Sequence, residues 1–459
     1  MPGEKRQSHV KALVRETITI HRGGDKLTTK LARIAQIAKE NPKEKFTSLA
    51  HLVDEKLLLE CHHELKNGKA TGVDRVTKEI YESKARSNIA NLYQDLKFGK
   101  YKPQAVRRVL IPKTGSSKMR PLGIPAYEDK IVQLAVSKIL IAIYEQDFLD
   151  FSHGFRPNRG CHGAIKQLNE IILFKRVNWV VDADISGFFD HVDHHWMIRC
   201  LQERIKDPSL LRLITRMLKA GVVDKGVYQQ SKKGTPQGGI ISPILANIYL
   251  HYVLDLWVEK VVKKRLAGES EIVRYADDFV CCFQYKEEAE KFYRALRKRL
   301  NKFGLKLAEE KSKIINFGRF ADMNCRAEGK KPDTFDFLGF THYCGYSRNG
   351  KFRVKRKTSR KKYQTALARM KEWIKSNRTL PVKELIKKIG IKLMGHYRYY
   401  GISDNAPMLH SFHYHVRNLF FKWLNRRSQR NSYTWMKFRL LMEANPFPKP
   451  KVYVSLFES

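Results

Sequence analysis

Two short runs, each alternating in period two and each carrying carboxylates, constrain this chain more than any other feature. In residues 178–185, Trp179, Val181, Ala183 and Ile185 fall on one side of an extended backbone, and Val180, Asp182 and Asp184 on the other. That predicts a strand with acids on its open face. Residues 271–283, EIVRYADDFVCCF, read as two short apolar strands joined at Ala276-Asp277-Asp278, a hairpin with two acids at its tip. Adjacent aspartates at a turn are ordinarily solvated turn chemistry. Placed beside a strand that also carries Asp184, they can instead supply the oxygen ligands that hard cations such as Mg²⁺ prefer. Two such ions about 3.5–4 Å apart can stabilise both the attacking and the leaving oxygen when nucleotides are joined.

The rest of the chain reads as mixed α and β. Residues 1–45 are basic, with a helical pattern at Leu31, Ile34, Ile37 and Ala38, and 46–95 read as helix, loop, helix around the turn-rich run from Asn67 to Asp74. Residues 105–125 predict two strands about a turn at Gly115-Ser116-Ser117, followed by a helix from Glu128 to Tyr144 with Ile131, Leu134, Ala135 and Ile139 on one face. From about residue 355 the pattern is helical: Tyr363, Leu367, Met370, Trp373 and Ile374 share one face, and Val382, Leu385, Ile386, Ile389 and Leu393 another.

Charge narrows the partner. The 88 Lys and Arg against 46 Asp and Glu leave a formal +42 over the 459 residues. A folded chain with that excess repels itself unless a polyanion neutralises it, and nucleic acid is the obvious one. The seven cysteines form no CxxC pair, so they read as free thiols rather than a zinc ribbon. The start lacks an apolar signal core and no run of about 18 apolar residues exists, which predicts a soluble, intracellular, cytoplasmic protein with no membrane partner.

The blocks around the acids carry a resemblance. Tyr275-Ala276-Asp277-Asp278 resembles the YxDD box of reverse transcriptases, and the run from Asp184 to Asp190, DISGFFD, resembles the box that supplies their first catalytic aspartate. The run from Gly234 to Asn247, GTPQGGIISPILAN, looks like the group II intron version of the nucleotide-pocket box. With RPLGIP at 120–125, GFRP at 154–157 and FLGF at 337–340, several boxes stand in one order across roughly residues 46–445. The chain is identified as similar to group II intron reverse transcriptases with maturase activity.

That resemblance implies an α+β right-hand polymerase: a basic extension at 1–45, fingers and palm with antiparallel sheet and helices at 46–350, a helical thumb at 351–395 and a helical maturase domain at 396–459. It implies that Asp184, Asp277 and Asp278 hold two Mg²⁺ ions, with Mn²⁺ as a possible substitute, and that Asp182 is a polar neighbour. Phe189 matches the ring that excludes a ribose 2′-hydroxyl, the alternative being a plain core residue, as Phe188 beside it would be. Gln237 matches a pocket residue. Lys113 and Arg120 match the basic pair that grips the triphosphate, with Lys118 competing for the first role. Lys311 matches a lysine that protonates pyrophosphate, although a solvated charge run explains it equally. The implied partners are intron RNA, an RNA template with a DNA primer, deoxynucleoside triphosphates and target DNA, and the implied roles are splicing and retrohoming. The chain carries no paired cysteines of a His-Asn-His endonuclease, so DNA cleavage is not expected.

Other constellations receive plainer readings. His191, Asp193, His194 and His195 suggest a metal cluster but read better as a helix start with Asp193 as its cap. Rings and cations interleave at 396–400 and 420–427; there Phe420 and Trp423 are expected in a core, and Arg426 and Arg427 to contact RNA. A reverse transcriptase recruited to phage defence, or a splicing cofactor that only binds RNA, would share much of this pattern.

Overall fold

A computed structural model describes residues 26–112, 119–235, 237–427 and 432–457. They form two compact units, the described residues of Met1–Lys113, Ser117–Ala164 and Val181–Ile314, and those of Ile165–Val180 and Ile315–Ser459.

The first unit begins with helices α1 (Lys26–Glu40), α2 (Glu55–Glu64), α3 (Lys78–Glu82) and α4 (Ala85–Lys97). Strands β1 (Val106–Pro112) and β2 (Met119–Ile124) pair antiparallel, Ile111 opposite Arg120; the turn between them lies outside the described residues. Helix α5 (Tyr127–Tyr144) follows, and Ile131, Leu134, Ala135 and Ile139 are all buried in it. Helix α6 (Cys161–Phe174), which belongs to the second unit from Ile165 onward, leads to β3 (Trp179–Asp184), and then come α7 (Phe188–His191), α8 (His194–Gln202) and α9 (Pro208–Lys219) of the first unit. Asp207 caps α9, accepting from the N–H groups of Ser209 and Leu210, with Pro208 in the first turn where its missing N–H costs nothing. The same carboxylate accepts from Leu49 and Ala50 at 2.6 and 2.7 Å, so one side chain fastens two distant segments.

Short strands β4 (Val222–Asp224) and β5 (Val227–Gln229) join the first hairpin in the order β2-β1-β4-β5. The β1–β4 pair is parallel, where only antiparallel pairing was expected; the long helical stretch between them makes the crossover a parallel pair needs. Helix α10 (Ser242–Leu250) is buried along its whole length and runs on into π-helical turns at His251–Asp255 and Val258–Val262. The hairpin of β6 (Ser270–Tyr275) and β7 (Asp278–Phe283) follows, then α11 (Lys286–Lys302) and β8 (Lys313–Asn316). These strands and β3 make the sheet β6-β7-β3-β8. The acidic hairpin therefore lies directly beside the acidic strand.

In the second unit, α12 (Arg319–Ala327) precedes the sheet of β9 (Phe335–Phe337), β10 (Phe340–Tyr346) and β11 (Phe352–Thr358). The helical pattern expected from about 355 begins only at Arg360. Strand β11 alternates, but Arg356 occupies a fully buried position, bonded to Asn169 Oδ1 at 2.6 Å, so its period is invisible to a count of apolar residues. Helices α13 (Arg360–Ser376), α14 (Val382–Tyr400), α15 (Ala406–Leu424) and α16 (Trp435–Ala444) close around Met370, Trp373, Leu385, Ile389, Phe412 and Phe420. Residues 395 and 396, where a thumb was expected to give way to a maturase domain, lie inside the unbroken α14, and residue 350 lies in the β10–β11 turn.

Candidate active site

Asp184 ends β3, and a turn at 306–312 clasps that end. Ser186 N–H donates to the Lys306 carbonyl and Ala308 N–H to the Asp184 carbonyl, each at 2.8 Å. Ser312 Oγ accepts from Asp184 N–H and donates to Ala308. The turn delivers Lys311, whose Nζ lies 2.8 Å from Asp184 Oδ2. The bond to Asp184 raises the lysine's pKa, so the ammonium form is held.

Asp277 stands at the tip of the β6–β7 hairpin. Burial pushes its carboxyl pKa up; its own backbone N–H opposes this, the charge of Asp184 adds to it, and Arg120 and Arg274 pull the other way. A buried carboxylate with a second acid nearby calls for a cation, and a donor set of carboxylate oxygens suits a hard one such as Mg²⁺. Asp278, half-buried, opens β7 in register with Tyr275. The three aspartates are not drawn tightly together: among the described residues, only His62, His63 and Glu82 bring three ligand-type atoms within 4.8 Å of one another. That group lies elsewhere. Buried His62 has its Nε2 2.7 Å from exposed Glu82 and its Nδ1 3.0 Å from the Tyr127 hydroxyl, so both ring nitrogens already have partners.

The nucleotide-pocket box is tied to its neighbours through backbone. Thr235 N–H donates to the carbonyl of Phe189, and Gly123 N–H to that of Gln237 at 2.7 Å. Gly238 has φ +113°, and a Cβ there would meet Leu122 at 2.6 Å, so only glycine lets the box approach β2, the strand that carries Arg120. Phe188 is buried, while Phe189 beside it is half-buried and edge-on to it at 5.2 Å. Gln237 is also half-buried. Lys113 and its competitor Lys118 lie outside the described residues.

The His191–His195 run is structural. Asp193 caps α8 through Trp196 N–H, His191 Nδ1 lies 2.9 Å from the Gly187 carbonyl, and His194 Nε2 lies 2.7 Å from that of Gly234. All seven cysteines are free thiols, and no described helix is long and apolar enough to cross a membrane. In the second unit Phe420 and Trp423 are buried. Exposed Arg426 lies over the Trp423 ring at 5.5 Å, while Arg427 donates to the carbonyls of Thr379 and Leu380.

The sequence reading missed the groups beneath the tip: Arg274, Asp255 and Asn247, each with no solvent exposure. A signal was available. An arginine inside an apolar strand and an aspartate inside an apolar helix each demand a partner, and here they are partners.

Comparison with known proteins completes the picture. Residues 111–342 match the model of the reverse transcriptase (RNA-dependent DNA polymerase) family, and residues 363–441 that of the group II intron maturase-specific domain. The chain is 37% identical over 318 residues to the group II intron-encoded protein LtrA of Lactococcus lactis subsp. cremoris, an alignment covering 66% of this chain and 52% of LtrA. It is 33% identical over 319 residues to the protein YkfC of Escherichia coli (strain K12), covering 63% of this chain and 80% of YkfC. The chain thus spans about half the length of LtrA. With a reverse transcriptase domain over half its residues and a maturase-specific domain after it, the chain belongs to the group II intron reverse transcriptase/maturase family.

Proposed function

We propose that this protein is an RNA-directed DNA polymerase that copies intron RNA into DNA, and a maturase that binds its group II intron RNA to support splicing and retrohoming. The observation that carries the polymerase half is the placement of the acidic hairpin of Asp277 and Asp278 beside the strand that ends in Asp184, with Lys311 bonded to Asp184. In this reading the family's right hand consists of fingers and palm over 46–350, a thumb over 351–395 and a maturase domain over 396–459, preceded by the basic extension 1–45.

The reaction joins a primer 3′-oxygen to the α-phosphorus of a deoxynucleoside triphosphate and breaks the bond to pyrophosphate. Two divalent cations, Mg²⁺ or Mn²⁺, held by Asp184, Asp277 and Asp278 would supply Lewis-acid stabilisation of both oxygens. The chain's own side chains do the rest. Lys113 and Arg120 hold the triphosphate, Arg as a fork and Lys as a point charge. Gln237 lines the base and sugar pocket, Phe189 crowds a 2′-hydroxyl, and Lys311 presents an ammonium proton at Nζ for the leaving pyrophosphate.

Splicing support needs no catalytic group, because preferential binding of the active RNA fold shifts the folding equilibrium by itself. Lys375, Arg378 and Arg426 crowd the Trp423 ring at 6.0, 5.8 and 5.5 Å. Cations so gathered repel one another, and a phosphate backbone relieves that. Arg427, bonded to the carbonyls of Thr379 and Leu380, holds this edge together.

Two variants measured in parallel test the assignment. Asp277→Ala is expected to abolish primer extension while still promoting splicing of the cognate intron at low Mg²⁺. Arg426→Glu is expected to weaken splicing more than extension on a short generic primer-template. Extension by Asp277→Ala at near wild-type rate refutes the polymerase site. Proportional loss of both activities in both folded variants refutes the division of labour.

A further inference from the structure

The acidic tip is held from beneath by a network that no part of the chemistry above uses. Arg274 lies in β6, three residues before Asp277, and its side chain has no solvent exposure. A guanidinium has five N–H donors in a fixed fork, and here five bonds take them up. Nε and Nη2 reach the two oxygens of Asp255 at 2.7 and 2.5 Å, and Nη2 also reaches Ser152 Oγ at 2.7 Å. Nη1 donates to Asn247 Oδ1 at 3.2 Å and to the carbonyl of Ala276 at 3.0 Å. The last bond matters most, because the Ala276 carbonyl belongs to the peptide that leads into Asp277.

Ala276 needs holding. Its φ is +58°, a left-handed conformation that an L-residue with a Cβ adopts only when its surroundings impose it. The surroundings are close. Arg274 N–H donates to the Phe151 carbonyl, and His153 N–H donates to the Arg274 carbonyl, each at 2.8 Å. Gly154 approaches so nearly that a Cβ there would lie 2.2 Å from the Ala276 nitrogen. Asn247 Nδ2 in turn donates to the Gly154 carbonyl at 2.7 Å, so one amide joins the arginine to the segment that walls the tip.

The helix beneath is phased to do this. Asn247 and Asp255 are eight residues apart, and at 3.6 residues per turn they would point about 80° apart. The π-helical turn at His251–Asp255, closed by Leu256 N–H on the His251 carbonyl, absorbs one extra residue. Seven effective residues return within about 20° of the starting face, so both side chains reach one guanidinium.

We propose that Arg274 is the positioning residue of the acidic tip: seated on Asp255 and Asn247, it fixes the Ala276–Asp277 peptide and so the place from which the Asp277 carboxylate binds metal. The proposal rests on the polymerase reading, and the controls below separate the two. Burial of a paired Arg and Asp could instead serve folding alone, but replacing such a pair with apolar residues often leaves stability intact. Folding and positioning can therefore be tested apart.

The test uses Arg274→Lys, which keeps the charge and loses the fork, and the double variant Arg274→Met with Asp255→Leu, which removes the pair without leaving a buried charge alone. Thermal unfolding and affinity for intron RNA establish that each is folded. Primer extension is then measured against Mg²⁺ and against deoxynucleotide. A carboxylate displaced by a fraction of an ångström predicts a rate at saturating nucleotide reduced by about 10–100-fold. It also predicts a half-saturating Mg²⁺ concentration raised several-fold and a nucleotide KM nearly unchanged. Asp277→Ala is run beside them. If that variant extends normally, the polymerase site itself is misassigned. If it is dead while a folded Arg274 variant keeps the wild-type rate and Mg²⁺ requirement, the positioning role is wrong and the site stands. A rate lowered equally at every Mg²⁺ concentration likewise overturns the proposal, since that is the mark of general structural loss.

Discussion

At the scale of single residues, the adjacent phenylalanines at 188 and 189 differ in exposure, and the proposed sugar gate rests on that difference. Phe188 is buried against Tyr249, whereas Phe189 keeps part of its surface open and its carbonyl occupied by the pocket box. A ring with one face free can meet a sugar; one enclosed on all sides cannot. Phe189→Val should therefore raise ribonucleotide use relative to deoxyribonucleotide by on the order of tenfold, the discrimination that a few carbons of pocket wall provide. Total activity should fall as packing on Phe188 loosens. The check is the ratio of kcat/KM for a matched ribo- and deoxyribonucleoside triphosphate, and an unchanged ratio in a folded variant removes Phe189 from the gate. Lys311 was left open by its sequence, a charge run being the equal reading, because nothing local distinguishes EEKSK in solvent from EEKSK delivered to Asp184. The distinguishing contact spans 127 residues.

Among the elements, Asp207 has the clearest thermodynamic role. Burial pushes its carboxyl pKa up, but the N–H groups of Leu49, Ala50, Leu210 and Ser209 outweigh that and hold it below the usual range. Asp207→Ala removes a helix cap and strands two further donors, which should cost about 2–4 kcal/mol in urea unfolding. The sign with pH follows from the depressed pKa. The contribution is fully present above the unfolded value near 4 and is lost as pH falls through the lower folded value. An acid titration of stability should be flatter in Asp207→Ala over that window; parallel curves would dismiss the linkage. Elements with one periodic face were legible beforehand. The long helix was expected from Glu128 and starts at Tyr127; the β3 strand and the β6–β7 hairpin fall where alternation put them. The parallel β1–β4 pair, the double duty of Asp207 and the buried Arg356 of β11 were not, because each depends on a partner more than 100 residues away. The three aspartates proposed as metal ligands stood out as types and spacing, whereas the support beneath the tip did not, since Arg274 and Asp255 look like misplaced charges until they meet.

For the whole molecule, the +42 balance sets how the protein meets its partners. If that surface tracks a template, affinity should fall steeply with ionic strength, each neutralised phosphate of a single strand adding about −0.7 to the log–log slope. Titration of template affinity across salt measures this directly, and a flat response would mean the charge is spent elsewhere. Electrostatics of this kind is forgiving, since any one lysine can be exchanged for another position on the surface. The tip of the acidic hairpin is the opposite case. Where Gly154 faces Ala276, the gap is bounded by main-chain atoms, 2.2 Å from an added Cβ to the Ala276 nitrogen. Repacking cannot open that gap, because no side chain there can step aside. A lineage descending from this sequence can drift through much of its basic surface one neutral change at a time, yet at this crossing any side chain in place of Gly154 meets main chain, so the first step is already a loss.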